Sequence, residues 1–255
     1  MSDINRVGES AHNTFNSIMI ITEYVNSRNM KIYFPEYDWT CENAMYHNFI
    51  KGSIKCPYEP RLYGMGYIGE GPYKSKENKK QTKAYDFWNS MIQRCYSDKF
   101  HIKNPAYVDC TVCDNWLNFQ NFAEWHKNNY YEISDEIMCL DKDILVKGNK
   151  IYSPDTCIYV PKTINSLFVK NDATRGKYPI GIHKNNNCSS YIVTINNIES
   201  NKPIYLGSYK TKSEAFLVYK EAKENHIKAI ADKYKDNIPE KLYEALYDYS
   251  IDIND

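Results

Sequence analysis

An α+β fold built from several small elements is predicted by three features of this chain. Short alternating runs of β-branched and aromatic residues open it, two aromatic-faced amphipathic segments follow, and a strand-rich stretch leading into a long capped helix closes it. At 255 residues the chain exceeds what one typical core requires, and its pattern divides it into segments 1–72, 73–175 and 176–255.

In the first segment, Ser17–Thr22 and Lys31–Phe34 alternate with a period of two between Asn, Gly and Pro residues, which predicts strands. Gly64, Gly66, Gly69 and Gly71 form a glycine-rich turn at its end, and the expectation is a small β-barrel. The second segment begins with a lysine-rich window holding Lys74, Lys76, Lys79, Lys80 and Lys83, read either as a solvated linker or as a local phosphate-facing patch. Phe87, Trp88, Met91, Ile92 and Cys95 then recur at helical spacing, so a helix over 85–95 buries one face. Trp116, Phe119, Phe122, Ala123 and Trp125 repeat the design over 116–128, and these aromatics read as core rather than as base-stacking platforms. In the third segment, strands are expected at 180–183, 190–196 and 203–209. A long helix follows from Thr211, whose N-cap position and Glu214 three residues on make a capping box. A last short helix starts near Pro239.

Composition narrows the classes. No apolar run approaches the roughly 18 residues of a membrane span, and the polar start MSDINRVGES carries no signal peptide, so a cytoplasmic protein without membrane partners is expected. Eight cysteines in that setting favour reduced thiols. Thirty-two basic and 32 acidic side chains give zero net charge, which counts against a large non-specific nucleic-acid footprint but not against a local one.

The chemistry-bearing stretch runs from Cys139 to Leu167. Asp141-Lys142-Asp143 is followed by a Gly-Asn turn, an apolar strand and Asn165 at a helix start, an order that can hold one divalent metal against a phosphodiester. Because strand side chains alternate, Asp141 and Asp143 are expected to share a face while Lys142 points away. The plain alternative is an acidic turn with solvated side chains. Cys110-Thr111-Val112-Cys113 has the spacing of half a zinc knuckle, but no second C-x-x-C exists, so structural zinc is disfavoured against buried thiols. His12, His47, His101, His126 and His226 have no partners at recognisable spacing and receive no role.

Three signatures make residues 85–170 resemble a phage-encoded HNH-like endonuclease family: Trp88, Met91, Arg94 and Cys95; Val112, Cys113, Trp116 and Phe119; and Leu140–Asp143 with Tyr152–Cys157. The resemblance implies central helices with a degenerate ββα-metal unit binding Mg²⁺ or Mn²⁺. It makes Asp141 the metal carboxylate, Asn165 the helical ligand and Asn149 the brace of the loop. The general base falls at Lys142, which is protonated at neutral pH unless desolvated, so Asp143 stands in as base or second ligand.

The final segment resembles the ethylene-response-factor type of DNA-binding domain through Gly181-Ile182, Tyr191–Ile195, Tyr205–Tyr209, Thr211, Glu214-Ala215 and Tyr219. That resemblance implies a three-stranded antiparallel sheet with a packed helix, its outer face set against double-stranded DNA by His183, Lys184, Thr194, Asn196 and Tyr205. Together the two resemblances imply a homing-type DNA endonuclease acting in the cytoplasm of an infected bacterium. The alternative is a catalytically inactive descendant that binds DNA or a host protein as a regulator or inhibitor, and a sheet-and-helix module can also serve self-association.

Overall fold

The alternating runs of the first segment do become strands. In the computed structural model, which describes residues 5–168, 178–185, 189–197 and 202–253, β1 (Ser10–His12), β2 (Ile18–Asn26), β3 (Asn29–Phe34) and β4 (Trp39–Ala44) form an antiparallel meander in that order. Met19, Ile21, Met30, Ile32 and Phe34 alternate onto one face. They are sealed by Phe49 of the short helix α1 (Tyr46–Ile50) and by Ile54 and Cys56. The expected barrel is not closed. A barrel needs strands long enough to tilt and stagger into a continuous register, and β1 has three residues, so β1 and β4 remain the two edges of an open sheet.

By internal contact the chain forms two units, one of residues 1–128 with 150–153, the other of 129–149 with 154–255. The rest of the first unit contains the hairpin β5 (Lys76–Glu77) and β6 (Lys80–Gln81), then α2 (Lys83–Tyr96), α3 (Asp98–Lys103), β7 (Thr111–Val112), α4 (Asp114–Leu117) and α5 (Phe119–Asn129). Thr82 caps α2, its hydroxyl accepting from the Tyr85 amide. Trp88, Met91, Ile92 and Cys95 face inward as their spacing requires, and the Trp88 indole N–H donates to the Trp116 carbonyl at 2.7 Å.

The single helix expected over 116–128 is two helices. Asn118 adopts an extended conformation between α4 and α5, and its side-chain oxygen accepts from the Gln120 amide at 2.9 Å. The break lets Tyr67 slot in as a parallel bridge, donating to the Leu117 carbonyl and accepting from the Phe119 amide.

In the second unit β8 (Met138–Asp141) pairs antiparallel with β10 (Ile158–Pro161), and α6 (Lys162–Asn165) packs on both. Then β11 (Ile182–Lys184), β12 (Tyr191–Asn197) and β13 (Lys202–Tyr209) form an antiparallel sheet in chain order, covered by α7 (Lys212–Tyr234) and followed by α8 (Glu240–Tyr247). Val193, Ile195 and Ile182 meet Ala215, Phe216 and Tyr219 of α7. The same apolar cluster continues through Ile158, Val160 and Ile164 to Leu242 and Leu246. Both halves of the Thr211–Glu214 capping box are formed. Among the described residues no helix is long and apolar enough to cross a membrane.

Candidate functional site

Two places were expected to carry chemistry: the acidic stretch after β8 and the outer face of the C-terminal sheet. The first does not assemble as expected. The ββα-metal unit requires β8 to form a hairpin with the next strand, but that strand, β9 (Ile151–Tyr152), pairs parallel with β7 in the first unit. Its ladder groups are used there: Thr111 donates to the Lys150 carbonyl and Cys113 to that of Tyr152, both at 2.9 Å. Tyr152 is buried, its hydroxyl 3.5 Å from Arg94. With those hydrogen bonds taken, the partner of β8 is β10, with Asp141 opposite Ile158.

Asp141 therefore ends a strand and closes a loop. Its Oδ1 accepts the amides of Asp143 and Ile144, both at 2.8 Å, the local side-chain-to-backbone turn that aspartates favour. Burial pushes its carboxyl up to about 6, repulsion from Asp143 adds to the rise, and the two amide donors oppose it. Asp143 lies in the loop rather than on a strand, so the alternation argument for a shared face does not apply to it. Lys142 is buried, with its Nζ 3.5 Å from Asp143 Oδ2, and the Asn149 side chain donates to the Lys142 carbonyl at 2.7 Å. Asn149 thus holds the loop around a main-chain carbonyl. Asn165 is half-buried at the end of α6. Among the described residues no group of three or more His, Cys, Asp or Glu side chains converges as a metal-binding set, at this loop or at Cys110 and Cys113. The donors present do not fit a divalent ion, and no catalytic step is derived from them.

The second place is assembled. Ile182, Val193 and Ile195 point to α7, so period two sends His183, Ile192, Thr194 and Asn196 to the other face. Register sets His183 opposite Ile192, Ile192 opposite Ser208, Thr194 opposite Tyr205 and Asn196 opposite Pro203. His183 and Asn196 are exposed, Thr194 is half-buried and Tyr205 is 62% exposed. Lys184, opposite Tyr191, is also exposed but belongs by register to the helix-facing row at the end of the sheet.

Sequence reasoning missed two residues here. A bulge between Val193 and Thr194 lets Ser208 and Tyr205 share the outer face although their spacing is odd, and Lys202, opposite Asn197 in the helix-facing row, stands exposed at the start of β13. Alternation alone cannot locate a bulge. Lys202 was recoverable from its charge.

No family model matches the chain, and no solved structure matches it. The chain is similar to the 27 kDa core protein of fowlpox virus, and to that of its NVSL strain. Identity in each case is 22% over 215 residues, spanning 78% of this chain and 72% of the relative. These findings overturn both resemblances. The HNH signatures are packing residues: Trp88, Met91, Cys95, Val112, Trp116, Phe119 and Tyr152 are all buried in the first unit. A three-stranded sheet on one helix is a general solution to burying two apolar faces, so its presence does not bring the ethylene-response-factor family with it. The homing-endonuclease reading, and its variant as an inactive phage regulator, are corrected accordingly: the named relatives are core proteins.

Proposed function

We propose that this chain is a structural protein that contacts double-stranded DNA, in the manner of a viral core component, and that the outer face of β11–β13 is its contact surface. The observation that carries the reading is charge placement. In a chain with equal numbers of acidic and basic residues, these three strands hold no carboxylate, with His183 in the outer row and the exposed Lys184 and Lys202 in the helix-facing row at the strand ends, where both border that face. Such a face can approach phosphates without repulsion, while Asn196 supplies an amide and Thr194 and Tyr205 supply hydroxyls for phosphate and base-edge contacts. Its place of action is a particle or an infected cell, a reading supported by the likeness to core proteins and by the lack of a membrane-spanning helix among the described residues.

The test is fluorescence anisotropy of a labelled duplex titrated with the wild type and with Tyr205→Ala/Asn196→Ala. The double variant is expected to bind roughly 10-fold or more weakly, since one good amide-to-base-edge contact contributes about 1–3 kcal/mol. Equal affinity of the two proteins removes the assignment. A second reading, self-association or contact with a host protein through this face, is favoured by the outward row that joins Ile192 to Tyr205, the latter 62% exposed. Sedimentation of the same two proteins separates it, because only self-association changes mass without DNA.

A further inference from the structure

The geometry points to the β5–β6 hairpin of the first unit as a second surface for duplex DNA, one that grips phosphate without reading sequence. It rests on the DNA reading above for its ligand, and on separate residues for its support. Residues 74–83 hold five lysines and one glutamate, and all five lysines are exposed. None of Lys74, Lys76, Lys79 and Lys80 is held in an ion pair among the described residues. Glu77, the one carboxylate of the hairpin, lies opposite Lys80 in register, leaving Lys76 on the other face opposite Gln81.

The turn carries an independent sign. Asn78 and Lys79 both have left-handed backbone, φ 48° and 65°, as a two-residue primed turn demands. Glycine is the residue that meets this demand without strain, and a lysine there costs about 1 kcal/mol. A charge therefore occupies a place where an uncharged residue is more stable, as expected where the charge is used.

The hairpin is also held firmly. The Thr82 hydroxyl donates to the Lys74 carbonyl at 3.0 Å and its amide to Ser75 at 3.1 Å, and the same hydroxyl caps α2. Fixing the lysines on an anchored hairpin reduces the ordering that binding would otherwise require. Lys74 and Lys76 border an open hollow of about 580 Å³, whose other walls include Gly69–Gly71 and Gln120. Glu70, which also lines it, accepts from the Tyr58 hydroxyl at 3.3 Å. A ridge of point charges beside a shallow hollow suits a phosphodiester backbone. Lysines without a planar fork or a neighbouring amide row position a duplex and carry no base preference.

The experiment is a salt series of duplex binding by the full chain, comparing wild type, Lys76→Ala/Lys79→Ala/Lys80→Ala, and the same three positions changed to Arg. Each phosphate contact contributes about 0.9 to the slope of log K against log salt. The alanine variant is expected to lose about 2–3 from that slope and the arginine variant to keep it, with unfolding midpoints showing that both fold. A slope unchanged in the alanine variant, while Tyr205→Ala/Asn196→Ala still weakens binding, overturns the hairpin and leaves the sheet. A reduced slope with no effect of the sheet variant does the reverse. No binding by the wild type at low salt overturns both. Equal, lysine-dependent binding of polyglutamate overturns the DNA assignment in favour of acidic protein partners.

Discussion

Gly181 lies directly against the ring of Tyr219: a Cβ built at Gly181 would overlap the ring's Cδ2–Cε2 edge, and the backbone there is left-handed with φ 74°. Its carbonyl accepts the Thr194 amide at 2.9 Å, so the same residue admits α7 to the sheet and holds β12. Gly181→Ala meets both a strained backbone and an overfilled contact, together about 2–4 kcal/mol. Urea unfolding should show the midpoint falling by that measure. An unchanged midpoint would mean that the tyrosine swings aside at no cost.

Asp141 should oppose stability at neutral pH. Its folded carboxyl holds its proton up to about 6 against 3.8 ordinarily, so between those values the folded state binds more protons than the unfolded one. Stability then falls as pH rises through this window and stays lower above it. Asp141→Asn keeps an oxygen for the Asp143 and Ile144 amides and removes the charge. It should gain up to about 3 kcal/mol at pH 7.5 and almost nothing at pH 3.5, read from denaturant curves at the two pH values. Asp141→Ala, which leaves both amides without their acceptor, should lose about 1–3 kcal/mol.

His126 works in the opposite sense. Burial between Phe87 and Phe122, with the Lys83 charge adding to it, lowers its imidazole to about 4 from 6.5. Below pH 6.5 the unfolded chain takes the proton first, so stability drops as pH falls to about 4 and is level below. The drop amounts to about 3 kcal/mol. His126→Phe removes this dependence while keeping a ring in place. The unfolding free energies of variant and wild type should therefore shift in the variant's favour by that amount between pH 7.5 and 4, and a constant gap would contradict the burial argument.

The Thr211 cap offers a local check. Thr211→Ala removes the acceptor of the Glu214 amide, 3.2 Å away, and should cost about 1 kcal/mol, whereas Thr211→Gly should cost a few tenths. No loss in Thr211→Ala would show that the hydroxyl contributes nothing at this helix start.

What the residue pattern revealed was local. Spacing located β2 and β3, the buried face of α2, and the capped α7, because each is decided within a few turns or strand residues. Alternation also turns Thr194 and Asn196 outward, since it fixes the facing wherever one side is buried, whereas His183, Lys184 and Tyr205 entered only through the resemblance. The metal-site expectation failed at a long-range choice. Whether Asp141's strand pairs with Ile151 or with Ile158 depends on where Tyr152 is buried, and no spacing near Asp141 encodes that. The break at Asn118 was hidden for the same reason, because its cause is Tyr67, some fifty residues away.

The four residues 150–153 bear on how this protein can be divided in the laboratory. They are supplied to the first unit by a stretch of chain flanked on both sides by the second, so a gene fragment stopping at Asn128 encodes that unit without β9 and without the ring of Tyr152. Such a fragment would leave β7 with an unpaired edge and an apolar slot open to solvent, inviting aggregation. An independently folding half would need those residues returned through a designed linker or a circular rearrangement of the chain.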